Sequence, residues 1–336
     1  MLTEADTCRK FVLPKLVAAG WDTEQHSITE QRTFTDGRIQ SAGRGTKRGP
    51  QKCADCVLRY RRDFPIAVVE AKAAYKTAGA GLQQAKDCAE VLYLKFAFAT
   101  NGHEIVEFDY LTGQERVIAA SPAPQELWDR LQEHQVVPSA ADDLILAPYY
   151  RAGDRSPRCY QDIAINRTIA AIDGGRKRVL LTMATGTGKT VVAFQICWNL
   201  WSSRWNRTGE HRRARVLYLS DRNILVDDPK YKTFAPFGDA RRKIQGEAVK
   251  SREICFATYQ AIARDEQRPG LYRECPPNFF DLVIVDECHR GSARDQSNWR
   301  EILEYFAPAI QLGMTATPKR EENIDTYRYF GEPVYT

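Results

Sequence analysis

The run VLLTMATGTGKT, Val179 to Thr190, limits the fold more than any other stretch of the chain. Its apolar start predicts a buried strand, its glycines a tight turn, and VVAFQICWNLW beyond Thr190 predicts a helix. Phosphate is held where backbone N–H groups converge at a helix N-terminus with a cation beside them. Gly186 and Gly188 let the main chain wrap closely around such a group, and Thr185 and Thr187 share that turn. Lys189 can reach the β- and γ-phosphates of ATP, and the Thr190 hydroxyl can ligate Mg²⁺. The strict phosphate-loop pattern wants glycine six places before Lys189, where Met183 stands, but the essential turn lies at Gly186–Lys189.

A second run, DLVIVDECH from Asp281 to His289, has the form of a central strand ending in acids. Ligands of parallel sheets gather at the carboxyl ends of strands, so Asp286 is placed to hold Mg²⁺ and Glu287 to polarise an attacking water. Alone, this is an ordinary strand ending in two acids; beside the Lys189 segment, nucleotide chemistry is the better reading. Apolar strands at Val179–Met183, Val216–Ser220, Ile254–Ala257, Leu282–Val285 and Ile310–Thr315 alternate with helices, which implies a parallel sheet covered by helices. Trp198, Trp201 and Trp205 recur at helical spacing and read as a buried stripe.

The first part of the chain has another rhythm. Ala5, Cys8, Val12, Leu16 and Ala19 predict a helix, capped by Thr3, ended by Gly20 and kinked at Pro14. Asp36 to Lys52, rich in glycine and base (Arg38, Arg44, Lys47, Arg48, Lys52), reads as a loop, either a solvated turn or a phosphate-tracking arm. Strands follow at Ala54–Tyr60 and Ile66–Ala71, joined by a turn over Arg61–Pro65. Then come a helix at Leu82–Leu92, a strand at Leu94–Ala99, short strands near Ile105–Tyr110 and Glu115–Ile118, and a short helix at Gln125–His134. A boundary is expected near 140–155, giving domains of 1–145 and 146–336, in keeping with a 336-residue chain at about 150 residues per domain.

A quieter pattern lies in this first domain: Asp55, then Glu70-Ala71-Lys72. Period-two alternation puts Glu70 and Lys72 on one face, and a hairpin would bring Asp55 beside Glu70. Two carboxylates there could hold Mg²⁺ against a phosphodiester oxygen while Lys72 orients water or offsets negative charge. A surface charge cluster is the other reading. Both runs are apolar enough to be buried, however, and buried charges are costly unless they serve a metal or one another.

Composition narrows the class. With 48 basic and 43 acidic side chains the net charge is +5, too mild to imply nucleic acid by itself. The longest apolar candidate, Val191 to Trp201, is about half of the ~20 residues a membrane helix needs. The start, MLTEADTCRK, has no signal-peptide core, and nine scattered cysteines suggest reduced thiols in a cytoplasm. Cys53 and Cys56 have CxxC spacing, but no second pair follows, so two strand thiols are preferred to zinc.

The later half resembles superfamily 2 helicases and translocases: ATGTGKT is similar to motif I, DECH to motif II, and Thr315-Ala316-Thr317 to motif III. Gln161, in RCYQ, resembles the adenine-reading Q motif; Asp221–Asn223 and Thr258–Gln260 would be motifs Ia and Ib, which contact the nucleic-acid backbone. The chain ends shortly after motif III, before the second RecA-like lobe and its arginine finger, a group worth about 10³–10⁵ in rate. It reads as a fragment of a longer motor, expected to bind ATP weakly and hydrolyse it poorly alone. The earlier half resembles the PD-(D/E)xK nuclease core. Glu4 matches the acid that family members often carry on their first helix, and Gln84 resembles the QxxxY motif of one subfamily, with Cys88 where Tyr is expected.

A nuclease core directly before a DECH motor resembles the R (HsdR-type) subunit of type I restriction endonucleases, and the pieces EAD, VVEAKA, ATNG, RCYQ, MATGTGKT, DECHRGS and GMTATPKR occur in that order. This implies an α/β chain with a mixed nuclease domain followed by one RecA-like doubly wound lobe. It also implies ATP-driven translocation of double-stranded DNA coupled to Mg²⁺-dependent cleavage, in assembly with modification and specificity subunits. A type III-like restriction or repair helicase usually carries its nuclease after the motor. A binding module with an inactive nuclease, gripping DNA through Lys52 and Arg44, and an RNA helicase are the remaining alternatives.

Overall fold

The computed structural model describes residues 3–35, 39–42, 45–48, 51–134, 136, 142–151, 157–246, 251–263, 270–288, 300–316, 320–321 and 324–336. By its contacts the chain divides into two units, residues 1–148 with 158–163, and residues 149–157 with 164–336.

The first unit is built on a six-stranded mixed sheet in the order β1-β4-β5-β6-β7-β8. Its strands are β1 (Ser27–Thr35), β4 (Gln51–Arg61), β5 (Phe64–Ala71), β6 (Phe96–Thr100), β7 (Ile105–Asp109) and β8 (Gln114–Ile118). All pairs are antiparallel except β5 with β6, which is parallel. A parallel pair needs a crossover, here the helix Leu82–Leu92. Its buried stripe of Leu82, Ala85, Cys88, Ala89 and Leu92 has the three- and four-residue spacing of one helical face.

At the start, Thr3 closes a capping box with Asp6, as its position predicts. Through Pro14 the helical backbone is continuous: a π-helical turn over Cys8–Val12 widens it just before the proline, and α-helix resumes over Leu13–Ala18. The basic stretch after Asp36 is not a loop throughout. Backbone pairing extends β1 to Thr35, joins Ile39–Ala42 (β2) to Gly45–Arg48 (β3) as a hairpin, and begins β4 at Gln51. Residues 36–38, 43–44 and 49–50 of that stretch, Arg38 and Arg44 among them, lie outside the described residues.

The second unit carries a parallel six-stranded sheet in the order β11-β12-β10-β13-β14-β9. These strands are β9 (Arg178–Thr182), β10 (Val216–Ser220), β11 (Arg241–Lys243), β12 (Ile254–Thr258), β13 (Leu282–Asp286) and β14 (Ile310–Thr315). Every residue of β10, β12, β13 and β14 is buried, which explains why they read as unbroken apolar runs. The short edge strand β11 is wholly basic, a composition that discourages further pairing. Lys189–Ser202 forms the helix after β9. It stops before Trp205, so the tryptophan stripe is cut short; Trp198 and Trp201 pack with Phe237 at ring distances of 5.6 and 5.3 Å. Among the described residues no helix is long and apolar enough to cross a membrane.

Candidate active sites

In the first unit the pairing of Cys56 with Val69 leads on to Asp55 beside Glu70 at the carboxyl end of β5. The Asp55 Oδ2 accepts the Ala71 N–H at 2.8 Å, which aims the carboxylate across the hairpin. Lys72 donates to Glu70 Oε1 at 3.1 Å and to Gln84 Oε1 at 3.0 Å. Asp55, Glu70, Lys72 and Gln84 therefore share one cluster. Glu4 stands at its rim, 3.8 Å from the Lys72 ammonium and 3.2 Å from that of Lys76.

Burial pushes the Glu70 carboxyl up to about 7, reinforced by the Asp55 charge and opposed by Lys72. Burial also raises Asp55, against the pull of the Ala71 N–H and Lys72. Glu70 Oε2 is buried with no hydrogen-bond partner. An orphaned carboxylate oxygen beside a second acid fits a divalent cation, which would satisfy both. Among the described residues no group of three or more His, Cys, Asp or Glu side chains is set to hold a metal. An ion here would draw its carboxylates from Asp55 and Glu70, leaving the other positions to water and substrate oxygens, as Mg²⁺ prefers.

Residues that sequence reasoning passed over frame this cluster. Gly81 lies so close that a Cβ there would meet Lys72 Cγ and Cε at 3.1 Å and Glu70 Cγ at 3.2 Å. The Lys72 N–H donates to Thr100 O at 2.8 Å, and Asn101 Nδ2 donates to Lys76 O at 2.8 Å. The signals available were the small residues of AGAG and the turn-forming ATNG. The Cys56 Sγ lies 3.8 Å from that of Cys8, and both are free thiols. The Cys53 side chain lies outside the described residues. Cys88 is buried on the inner face of its helix.

In the second unit the turn after β9 has Gly186 and Gly188 at φ 75° and 86°, the left-handed region that glycine enters without steric cost. Gly188 caps the helix that begins at Lys189. Met183 is 4% exposed and its N–H donates to Thr315 O, so a large side chain fits where the strict pattern has glycine. Thr185 is exposed, the Thr187 hydroxyl donates to Ala184 O at 2.6 Å, and Thr190 lies in the first helical turn. The Lys189 ammonium is 3.3 Å from Met183 O and 3.4 Å from Glu287 Oε1. That last contact joins the glycine turn to the acids ending β13.

Asp286 is buried, which raises its carboxyl; Tyr218, whose hydroxyl donates to Oδ2 at 2.6 Å, opposes the shift. The Glu287 N–H donates to Oδ1 at 3.0 Å, and Glu287 itself adopts φ 52°. Both Asp286 oxygens are thereby oriented by hydrogen bonds. Tyr218 was missed because a tyrosine in an apolar strand reads as core. Asp221 follows the carboxyl end of β10, and Thr258 ends β12 and caps the short helix Tyr259–Ile262. Gln161 is buried and accepts the Arg158 N–H at 2.9 Å, in the segment grouped with the first unit. His289 and Thr317 lie outside the described residues.

The family model described as "Type III restriction enzyme, res subunit" matches residues 154–320. The chain is 43% identical over 99% of its length to the type I restriction enzyme EcoAI endonuclease subunit of Escherichia coli, of which it covers 41%. It is 30% identical over 53% of its length to the corresponding EcoKI subunit of Escherichia coli K12, covering 16% of that protein. A solved fragment assigned to the HsdR subunit of a type I restriction enzyme from Vibrio vulnificus YJ016 is 57% identical, with a TM-score of 0.83; the match covers all of this chain and 59% of that one. The chain thus spans about two fifths of the first of these relatives, and over nearly its whole length it is similar to a type I restriction enzyme endonuclease subunit.

Proposed function

We propose that the chain supplies the cutting domain and first motor lobe of a cytoplasmic type I restriction subunit. In this reading residues 1–145 are a PD-(D/E)xK-type nuclease and residues 146–336 a RecA-like lobe of a superfamily 2 translocase. The subunit moves double-stranded DNA at the expense of ATP and cleaves it, in complex with modification and specificity subunits. The observation that carries the reading is that Lys72 bonds Glu70 and Gln84 at 3.1 and 3.0 Å while Asp55 accepts the intervening Ala71 N–H at 2.8 Å, at one strand end and beside an unpartnered buried carboxylate oxygen.

Mg²⁺ bound by Asp55 and Glu70 would supply a Lewis acid for the phosphodiester and lower the pKa of attacking water. The chain's own part is positional. Lys72 offsets charge developing on the phosphate, Gln84 fixes the lysine's direction, and Glu4 borders the opening. In the second unit the glycine turn, Lys189 and Thr190 would cradle the triphosphate, Asp286 would hold its Mg²⁺ and Glu287 would orient water.

Two variants of the full subunit in its complex test this. Lys189→Ala should lose ATP turnover and cleavage together. Asp55→Ala should keep DNA-stimulated ATP turnover and lose cleavage. Cleavage surviving Asp55→Ala would mean that this cluster is not the cutting site, and the inactive-nuclease alternative predicts no cleavage from the parent protein either.

A further inference from the structure

The nuclease reading leaves the loop after β5, residues 73–77, without a task, yet that loop is held firmly. The Ala74 N–H donates to Thr7 Oγ1 at 3.2 Å, and the Lys76 N–H to Ala73 O at 2.8 Å. From the other side Asn101 holds Lys76 O, while its own Oδ1 accepts the N–H groups of His103 and Glu104 at 3.0 and 2.9 Å. A connection tied to both the first helix and the β6–β7 turn presents its side chains from a fixed frame.

Those side chains are a lysine and a tyrosine turned outward. The Lys76 side chain is 44% exposed against 11% for Lys72, and Tyr75 is 63% exposed. Lys72 is engaged inside the cluster by Glu70 and Gln84. Lys76 has Glu4 as its ion-pair partner, and that single Glu4 oxygen also lies 3.8 Å from Lys72. Such a half-exposed pair is weak. A phosphate arriving at the rim offers Lys76 a doubly useful exchange, since it gains an anion and leaves Glu4 to Lys72.

Resting on the nuclease reading, we propose that residues 73–77 grip the DNA strand being cut, Lys76 contacting a phosphate beside the scissile one and Tyr75 lying against the same strand. The contact is to backbone, so it positions DNA without reading sequence.

The test uses the full-length subunit, with a short DNA duplex in metal-free buffer for binding and the assembled complex with Mg²⁺ and ATP for cleavage. Lys76→Ala should reduce cleavage about tenfold, leave ATP turnover unchanged, and flatten the slope of log K against log[salt] by about 0.9, the value of one lost phosphate contact. Lys76→Arg should retain both cleavage and slope. Tyr75→Ala should weaken binding about fivefold with the slope unchanged, because a stacked ring carries no charge. An unaltered slope for Lys76→Ala overturns the proposal, even if cleavage falls, because a lysine that only neutralises Glu4 would give that result. With Asp55→Ala inactive and Lys76→Ala fully active, this proposal alone fails; cleavage by Asp55→Ala removes the nuclease reading and this one with it.

Discussion

The Tyr218 hydroxyl donates a 2.6 Å hydrogen bond to Asp286 Oδ2 inside the second unit, between two side chains that are both buried. The neighbouring parallel strands β10 and β13 bring them together. A buried carboxylate that loses such a donor is left short of a partner, at a cost of about 1–3 kcal/mol. Tyr218→Phe should therefore raise the Asp286 carboxyl further and raise the Mg²⁺ concentration for half-maximal binding of a fluorescent ATP analogue, about 10- to 100-fold by the size of outer-shell effects. An unchanged Mg²⁺ dependence would mean that the tyrosine only fills space.

Gly81 has a packing role that its neighbour Gly79 lacks. A Cβ at Gly81 would press on Lys72 and Glu70, whereas one at Gly79 would meet nothing within 4 Å. Since Lys72 is held by Glu70 and Gln84, it cannot yield freely. Gly81→Ala should destabilise by about 1–3 kcal/mol and reduce cleavage more than that figure alone implies. Gly79→Ala should be neutral or stabilising by less than about 1 kcal/mol. Urea unfolding and a cleavage assay on both variants check the contrast.

Glu70 gives the metal-free protein a pH dependence of definite sign. Its carboxyl is pushed up to about 7 from an ordinary 4.5, so the folded state binds the proton more tightly than the unfolded chain. Stability is highest below the unfolded value and falls as pH rises through the folded one, by up to about 3 kcal/mol at roughly 1.4 kcal/mol per unit. Glu70→Gln removes this contribution, so the variant should gain on the parent between pH 5 and pH 8. Denaturant unfolding with a chelator present measures it, and equal differences at the two pH values would contradict the assignment.

How much of this was legible in the sequence depended on burial. Val216–Ser220 and Ile310–Thr315 could be bounded correctly because strands buried on both faces are continuous apolar runs. Leu82–Leu92 was equally plain, since one face of it is buried and its period shows. The strands β1 and β2–β3 were missed: SITEQRTFT and the basic hairpin carry few apolar residues, and backbone pairing with a neighbour leaves no mark in composition. β11 was missed likewise, being three basic residues on an edge. At the site, Asp55 and Glu70 could be paired through a supposed hairpin. The roles of Gly81, Asn101 and Tyr218 depended on distances between residues far apart in the chain.

The central claim is that Asp55 and Glu70 hold one divalent ion at the end of β5. A crystal grown with Mn²⁺ in place of Mg²⁺ tests it most directly, through the anomalous signal of the metal. The account predicts a peak about 2.0–2.2 Å from a carboxylate oxygen of each residue, lost in Glu70→Gln. A structure with Mn²⁺ absent from this cluster, or bound by only one of the two carboxylates, would contradict it.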